Sequence, residues 1–191
     1  MTDILKAENE LNIAEKLNPG PWADHSRFAA KAARIIASKA GLSEEKAYIS
    51  ALIHDIGRRS GVTKFRHGYD GYHYLLSINM NEYAPICISH CYAARDINID
   101  EGFDDHSSGE RLFVQNFIAE YDYADYDFLV QLCDLLAMPH GLCRLDERIR
   151  DIKSRKPDHN EAFVKDLNHR FELKKYFEAK TGTDIYNLLD V

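Results

Sequence analysis

The chain has 191 residues, of which 45% are hydrophobic and 29% charged, and its formal net charge is −7. This length suits one well-buried domain better than two. The acidic balance argues against a nucleic-acid polymer or an anionic membrane surface as the main partner. No apolar run approaches the roughly 18 residues of a membrane span. The N-terminus lacks the residue order of a signal peptide, so we expect a cytoplasmic protein.

Helical periodicity runs through the sequence, and no segment alternates convincingly as a strand. The predicted helices cover about 2–17, 22–40, 43–57, a segment from 67, 83–94, 109–120, 125–138, 146–156, 161–181 and 184–189. Pro21 suits the first turn of the second helix, Gly41 its end, and Ser43 the N-cap of the third. We therefore predict a single all-α domain, with a core at about 22–151 and C-terminal helices at 157–191 packed on it.

Several conspicuous residues are assigned no site role. The four cysteines, which include no Cys-x-x-Cys pair, are Cys87, Cys91, Cys133 and Cys143. A soft-metal site at Cys87 and Cys91 is conceivable, but small buried hydrophobic residues are favoured. The polar, acidic composition of segment 95–108 predicts a surface loop, with a lid over a pocket as the alternative. Within it, Asp104-Asp105-His106 is interpreted as a solvated turn. The histidines given no metal role are His73, His140, His159 and His169.

The dipeptide His54-Asp55 is the most informative feature of the chain. It lies where a helix of otherwise buried residue types is about to end. Burying an imidazole and a carboxylate is costly unless something binds them. A divalent cation and a structural His–Asp hydrogen bond explain the dipeptide about equally well. Asp134 shifts the balance towards metal, because a carboxylate within the run Leu132-Cys133-Asp134-Leu135-Leu136 is least expected without a partner.

Six residues are candidate metal ligands, and each alone has a structural alternative such as a core or loop histidine. The six are His25, His54, Asp55, His67, His90 and Asp134. His25, His54, Asp55 and Asp134 suffice for one ion, and this mixture suits Fe, Mn, Co, Ni or Zn better than Ca. His67 and His90 could complete a second position, with Asp55 bridging. Nearby, Arg58, Lys64 and Arg66 form either a solvated loop or an anion-binding patch.

The ordered set His25, His54-Asp55 and Asp134 resembles the signature of the HD superfamily of metal-dependent phosphohydrolases, over about residues 22–151. His67-Gly68 and His90 resemble the additional histidines of its binuclear subgroup, which includes YqeK-type diadenosine tetraphosphate hydrolases. The resemblance implies a helical bundle around a central site for one or two divalent metal ions, with Mg also compatible. Arg58 stands where these families often have lysine, and an arginine there would still hold phosphate.

The function expected from these residues is hydrolysis of a phosphate ester or anhydride in a small molecule, most plausibly a nucleotide. Metal-bound water of lowered pKa would attack phosphorus, and Asp55 or an unligated histidine would assist proton transfer. Arg58, with Lys64 and Arg66, would neutralise the non-bridging oxygens. Two alternatives stay open, an HD-type mixed-valent di-iron oxygenase and a non-catalytic nucleotide-binding regulator. A homodimer is compatible with the sequence.

Overall fold

The computed structural model describes residues 3–100, 105–155 and 161–191, and this part of the chain is almost entirely helical. Its α-helices are α1 Asp3–Leu17, α2 Trp22–Ala40, α3 Glu44–Leu52, α4 Arg66–Ser77, α5 Ala84–Ser89, α6 Ser108–Glu120, α7 Asp125–Leu135, α8 Leu145–Arg155, α9 Glu161–Thr181 and α10 Ile185–Leu189. Two 3₁₀-helices cover Ile56–Ser60 and Ile97–Asp100. The predicted all-α class is confirmed. Among these helices, none has the length and apolar character needed to cross a membrane.

A two-residue hairpin interrupts the region where the sequence predicted a helix through residue 138 and no strand. Ala137–Met138 (β1) pairs antiparallel with Gly141–Leu142 (β2), while α7 ends at Leu135. The physical reason is Pro139, which disfavours a helical conformation for the residue before it and cannot donate a backbone hydrogen bond. The hairpin matters for the site because it brings the Ala137 carbonyl to His25, 3.1 Å from Nδ1.

The predicted bounds of α2 are confirmed, but α3 ends five residues earlier than predicted. Gly41 closes α2 in the left-handed conformation, and the Ser43 hydroxyl caps α3 by accepting from the Lys46 N–H. His54 and Asp55 lie beyond α3, in the turn before the 3₁₀-helix. The His54 imidazole bonds the Ala51 carbonyl at 2.7 Å. That carbonyl would accept from Asp55 N in a continued helix, so the imidazole replaces the next helical bond.

The hydrophobic core surrounds α2, which contacts α3, α7 and α9. Its inner face is rich in fully buried alanines such as Ala29, Ala32 and Ala33, so neighbouring helices approach closely. The same core cluster includes Phe177 of α9 and Leu189 of α10. The predicted division into a core at 22–151 and helices at 157–191 stays a prediction, and residues 157–160 lie outside the described part of the chain.

Two glycines allow the site-bearing segments to touch backbone to backbone. A Cβ on Gly57 would lie 1.9 Å from the His67 carbonyl oxygen, and one on Gly68 would lie 2.6 Å from that of Cys87. Both distances are far below van der Waals contact, so any side chain there would force the segments apart. The 3₁₀-helix Ile56–Ser60 therefore packs closely against α4, and α4 against α5, which brings His67 and His90 next to Asp55.

Candidate metal centre

The six residues predicted as ligands come together at the ends of five helical segments. His25 lies in the first turn of α2, His54-Asp55 after α3, His67 in the first turn of α4, His90 at the end of α5, and Asp134 in the last turn of α7. The four imidazoles and Asp55 are buried, and the Asp134 side chain is 20% exposed. Helix ends place these side chains side by side although they are far apart in sequence.

All four imidazoles are oriented by a backbone carbonyl. The contacts run from His25 Nδ1 to Ala137 O at 3.1 Å, His54 Nδ1 to Ala51 O at 2.7 Å, His90 Nδ1 to Ile86 O at 3.0 Å, and His67 Nδ1 to Lys64 O. A carbonyl only accepts, so each Nδ1 carries a proton and, in the neutral ring, each Nε2 offers a lone pair. This is the hydrogen-bond pattern of metal-binding histidines.

One group of donors lies between α2, the turn after α3, and α7. His25 Nε2 is 3.0 Å from Asp134 Oδ1, and His54 Nε2 lies 4.0 Å from the same oxygen. Although His54 is buried, its Nε2 makes no hydrogen bond to any described residue. Burial lowers the pKa of His54 to about 4, so its ring is neutral near pH 7. An unpartnered lone pair beside two carboxylates fits a cation.

A second group includes Cys91, for which a small buried hydrophobic role was favoured from the sequence over a soft-metal site. The Nε2 atoms of His67 and His90 are 3.2 Å apart, and Cys91 Sγ lies 3.4 Å from each. Burial alone would raise the pKa of the Cys91 thiol, but the charges of His90 and His67 lower it to about 6. Two Nε2 atoms that face each other beside an acidic thiol require either a shared proton or a cation between them.

Asp55 lies between the two groups. Its Oδ1 is 3.0 Å from His67 Nε2 and 3.5 Å from His90 Nε2, yet accepts no hydrogen bond of acceptable geometry from a described residue. Its Oδ2 lies 3.9 Å from His54 Nε2 and accepts from Arg58 Nε at 2.7 Å. Burial opposes ionisation, but the positive charges of Arg58 and His67 hold the pKa of Asp55 well below its usual value. The carboxylate therefore has the placement expected of a bridging ligand.

Arg170 of α9 supports the centre and was missed in the sequence. Its Nη1 donates to Asp134 Oδ2 at 3.2 Å and to the Gln131 carbonyl at 3.0 Å. Its Nη2 donates to the His90 carbonyl at 2.6 Å, and its Nε to Asp166 Oδ2 at 2.8 Å. Because Arg170 holds Oδ2 of Asp134, the other oxygen of that carboxylate is left facing His25. A buried arginine thus ties one candidate ligand to α5, α7 and α9.

A cavity of about 830 Å³ opens onto this centre. Its lining includes His25, Asp55, His67, His90, Cys91 and Asp134, together with Arg58, Lys64, His140 and Arg148. Of the three residues predicted to bind substrate, Arg58 and Lys64 line the cavity. The Arg66 guanidinium is not part of the lining and pairs with Glu110 at 3.1 Å. Arg148 was not predicted there.

The other conspicuous polar residues are placed away from the ligand groups. His73 is exposed and packs against Tyr69, Tyr72 and Phe113. Asp105 accepts the backbone N–H groups of Lys64 and Arg66, at 2.6 and 2.8 Å, and so fastens the basic segment. Asp104, His159 and residues 101–103 of the predicted acidic loop lie outside the described part of the chain, so the lid alternative stays a prediction.

The all-α fold and the imidazoles and carboxylates gathered at its buried helix ends define a helical protein class with a candidate metal centre. Residues 22–102 match the family model described as HD domain. This match supports a relationship of the chain to the HD superfamily. That superfamily is all-α, and its members are generally metal-dependent hydrolases. The matched segment contains His25, His54-Asp55, His67 and His90 and ends before Asp134. No curated protein and no solved structure matches the chain.

Proposed function

We propose that the chain is a metal-dependent phosphohydrolase that cleaves a phosphate ester or anhydride in a nucleotide. The observation that carries the proposal is the convergence of four imidazole Nε2 atoms on two carboxylates beside an open cavity. This donor set suits Fe, Mn, Co, Ni or Zn, with Mg also compatible. When bound, such an ion supplies Lewis acidity and lowers the pKa of its water.

Two sets of residues would hold the metal ions. His25, His54 and Asp134 would hold one ion, and His67 and His90 the other. Asp55 faces both groups and would be shared between them. Because the Arg58 guanidinium keeps the Asp55 carboxylate ionised, we assign Asp55 to binding cations rather than storing a proton. Nδ1–H bonds to the backbone keep every imidazole from turning away from the centre.

The cavity suits a substrate that combines phosphate with an aromatic base. Its volume of about 830 Å³ lies within the range of small-molecule sites, roughly 300–1,000 Å³. Arg58 and Lys64 line it and would neutralise non-bridging phosphate oxygens as charge develops. Trp22 and Phe65 line it as well and offer apolar surface to a base. These features favour a nucleotide over a small inorganic substrate.

The proposal is tested by metal analysis of anaerobically purified protein, followed by assays of phosphate release. The panel combines Mn, Fe, Co, Ni and Mg with nucleoside mono- and triphosphates and dinucleoside polyphosphates. His54→Ala should remove metal and hydrolysis together, while the control His73→Ala, an exposed imidazole outside the centre, should keep both. Full activity in His54→Ala would overturn the proposal. So would oxygen consumption with a polyol or phosphonate, or nucleotide binding without turnover under every metal.

A further inference from the structure

We propose that Cys91 is a metal ligand, whose sulfur joins His67 Nε2 and His90 Nε2 in a second metal position unlike the first. The inference rests on the proposed metal centre and extends it to the chemistry of one position. Cys91 is 5% exposed, and its sulfur lies 3.4 Å from both imidazole nitrogens. The three atoms form one of the compact groups of potential ligands in the described residues.

The spacing of the three atoms is that of ligands around a single ion. They form a triangle with sides of 3.2, 3.4 and 3.4 Å. Metal–nitrogen bonds of about 2.0–2.1 Å and a metal–sulfur bond of about 2.3 Å place tetrahedral ligands about 3.3–3.6 Å apart. The observed triangle agrees within a few tenths of an ångström. Each of the sulfurs of Cys87, Cys91 and Cys143 contacts a backbone carbonyl at 3.7 Å, those of Ile53, Cys87 and Leu135 respectively. Cys91 differs in that its sulfur also lies against two imidazole nitrogens.

An independent observation supplies a further donor. Asp55 Oδ1 is buried, accepts no hydrogen bond of acceptable geometry, and lies 3.0 and 3.5 Å from His67 Nε2 and His90 Nε2. Gly68 makes room for the sulfur, because a Cβ there would lie 3.1 Å from Cys91 Sγ. The local backbone is therefore shaped so that the thiolate reaches the imidazoles.

The two positions would differ in metal preference. Two imidazoles, a thiolate and a carboxylate oxygen form a borderline-soft set that favours Zn, Fe or Co over Mg and Ca. The position of His25, His54, Asp55 and Asp134 has only nitrogen and oxygen donors and is harder. Because of this difference, we expect the two positions to bind metal ions one after the other, with two affinities. The sulfur-containing position should take up Zn or Co selectively.

Cobalt spectroscopy tests the inference directly. Metal-free wild type, Cys91→Ser and the control Cys87→Ser are titrated with Co²⁺ while absorbance is recorded and bound cobalt is counted. A near-ultraviolet thiolate-to-cobalt charge-transfer band is expected in wild type and Cys87→Ser. In Cys91→Ser the band should be lost, while one cobalt ion remains at the nitrogen–oxygen position. Two bound cobalt ions without the band in wild type, or an unchanged band in Cys91→Ser, would overturn the inference.

A second measurement covers the case in which Cys91→Ser does not fold. X-ray absorption of zinc-loaded wild type should show a sulfur neighbour at about 2.3 Å. Its absence would overturn the inference without any variant. Phosphate release is recorded separately on the same preparations. A sulfur ligand without hydrolysis under any metal would refute only the proposed function, and hydrolysis without a sulfur ligand would refute only this inference.

Discussion

Replacing Arg170 by methionine tests whether the candidate ligand Asp134 is held by its neighbour on α9. Methionine keeps much of the side-chain volume and removes four donated hydrogen bonds of 2.6–3.2 Å. The change leaves the buried Asp166 carboxylate with the Ala94 N–H, at 2.9 Å, as its partner. It also frees Asp134 Oδ2, so the carboxylate can rotate away from His25.

Two magnitudes follow from this arrangement. Breaking a buried ion pair by removing one partner costs about 3–5 kcal/mol, because the other charge stays buried. We expect the free energy of unfolding of the metal-free protein to fall by that amount in Arg170→Met. Loss of a hydrogen-bond partner behind a metal ligand weakens metal binding by about 10–100-fold. Arg170→Met should therefore also lower metal affinity within that range.

Urea unfolding and chelator competition measure the two effects separately. The double variant Asp166→Asn/Arg170→Met also removes the buried, unpaired charge of Asp166. It should therefore regain part of the stability while metal affinity stays low. Lys175→Met is the control on the same helix. It breaks an exposed pair with Glu172 and should cost no more than about 1 kcal/mol. An Arg170→Met protein with wild-type metal affinity, or with a stability loss no larger than that of the control, would refute the reasoning.

Three further outcomes are expected. His54→Gln should flatten the pH dependence of metal-free stability between about pH 6.5 and 4. Burial lowers the native pKa of His54 to about 4, so wild type loses stability, up to about 3 kcal/mol, as pH falls through that window. Urea unfolding at several pH values checks this, and equal slopes would contradict it. Gly57→Ala should destabilise by about 1–3 kcal/mol or more, because its Cβ meets the His67 carbonyl, whereas Gly109→Ala, with nothing within 4 Å, should be tolerated in thermal unfolding. Adding Zn²⁺ should raise the unfolding temperature of wild type more than that of Asp55→Ala, which loses the carboxylate between the two groups, and an equal shift in both would count against the centre.

Local signals in the sequence were sufficient to predict much of the helical framework. Pro21 and Gly41 mark both ends of α2, and Ser43 caps α3 through the backbone of Lys46. These effects act within one turn, so they are visible in the sequence. The end of α3 was misplaced because the bond from His54 to the Ala51 carbonyl competes with the helix. Apolar periodicity carries no information about such a side-chain bond.

The supporting residues of the centre depend on long-range packing. Asp166 and Arg170 are four residues apart on the same helical stripe as Leu167, Leu173 and Phe177, which is a visible sign of a buried ion pair. Nothing in the sequence says that this stripe packs against α7 and Asp134. For a similar reason the sequence favoured a small buried hydrophobic residue over a soft-metal ligand at Cys91, since its closeness to His67 and His90 depends on how closely Gly68 lets α4 approach α5.

The carbonyl bonds to the four Nδ1 atoms also have an energetic consequence. The backbone carbonyls of Ala51, Lys64, Ile86 and Ala137 orient the rings, so little side-chain entropy would be lost on binding a cation. The candidate centre is thus preorganised, so a cation that binds there would stabilise the native state at little cost in side-chain order.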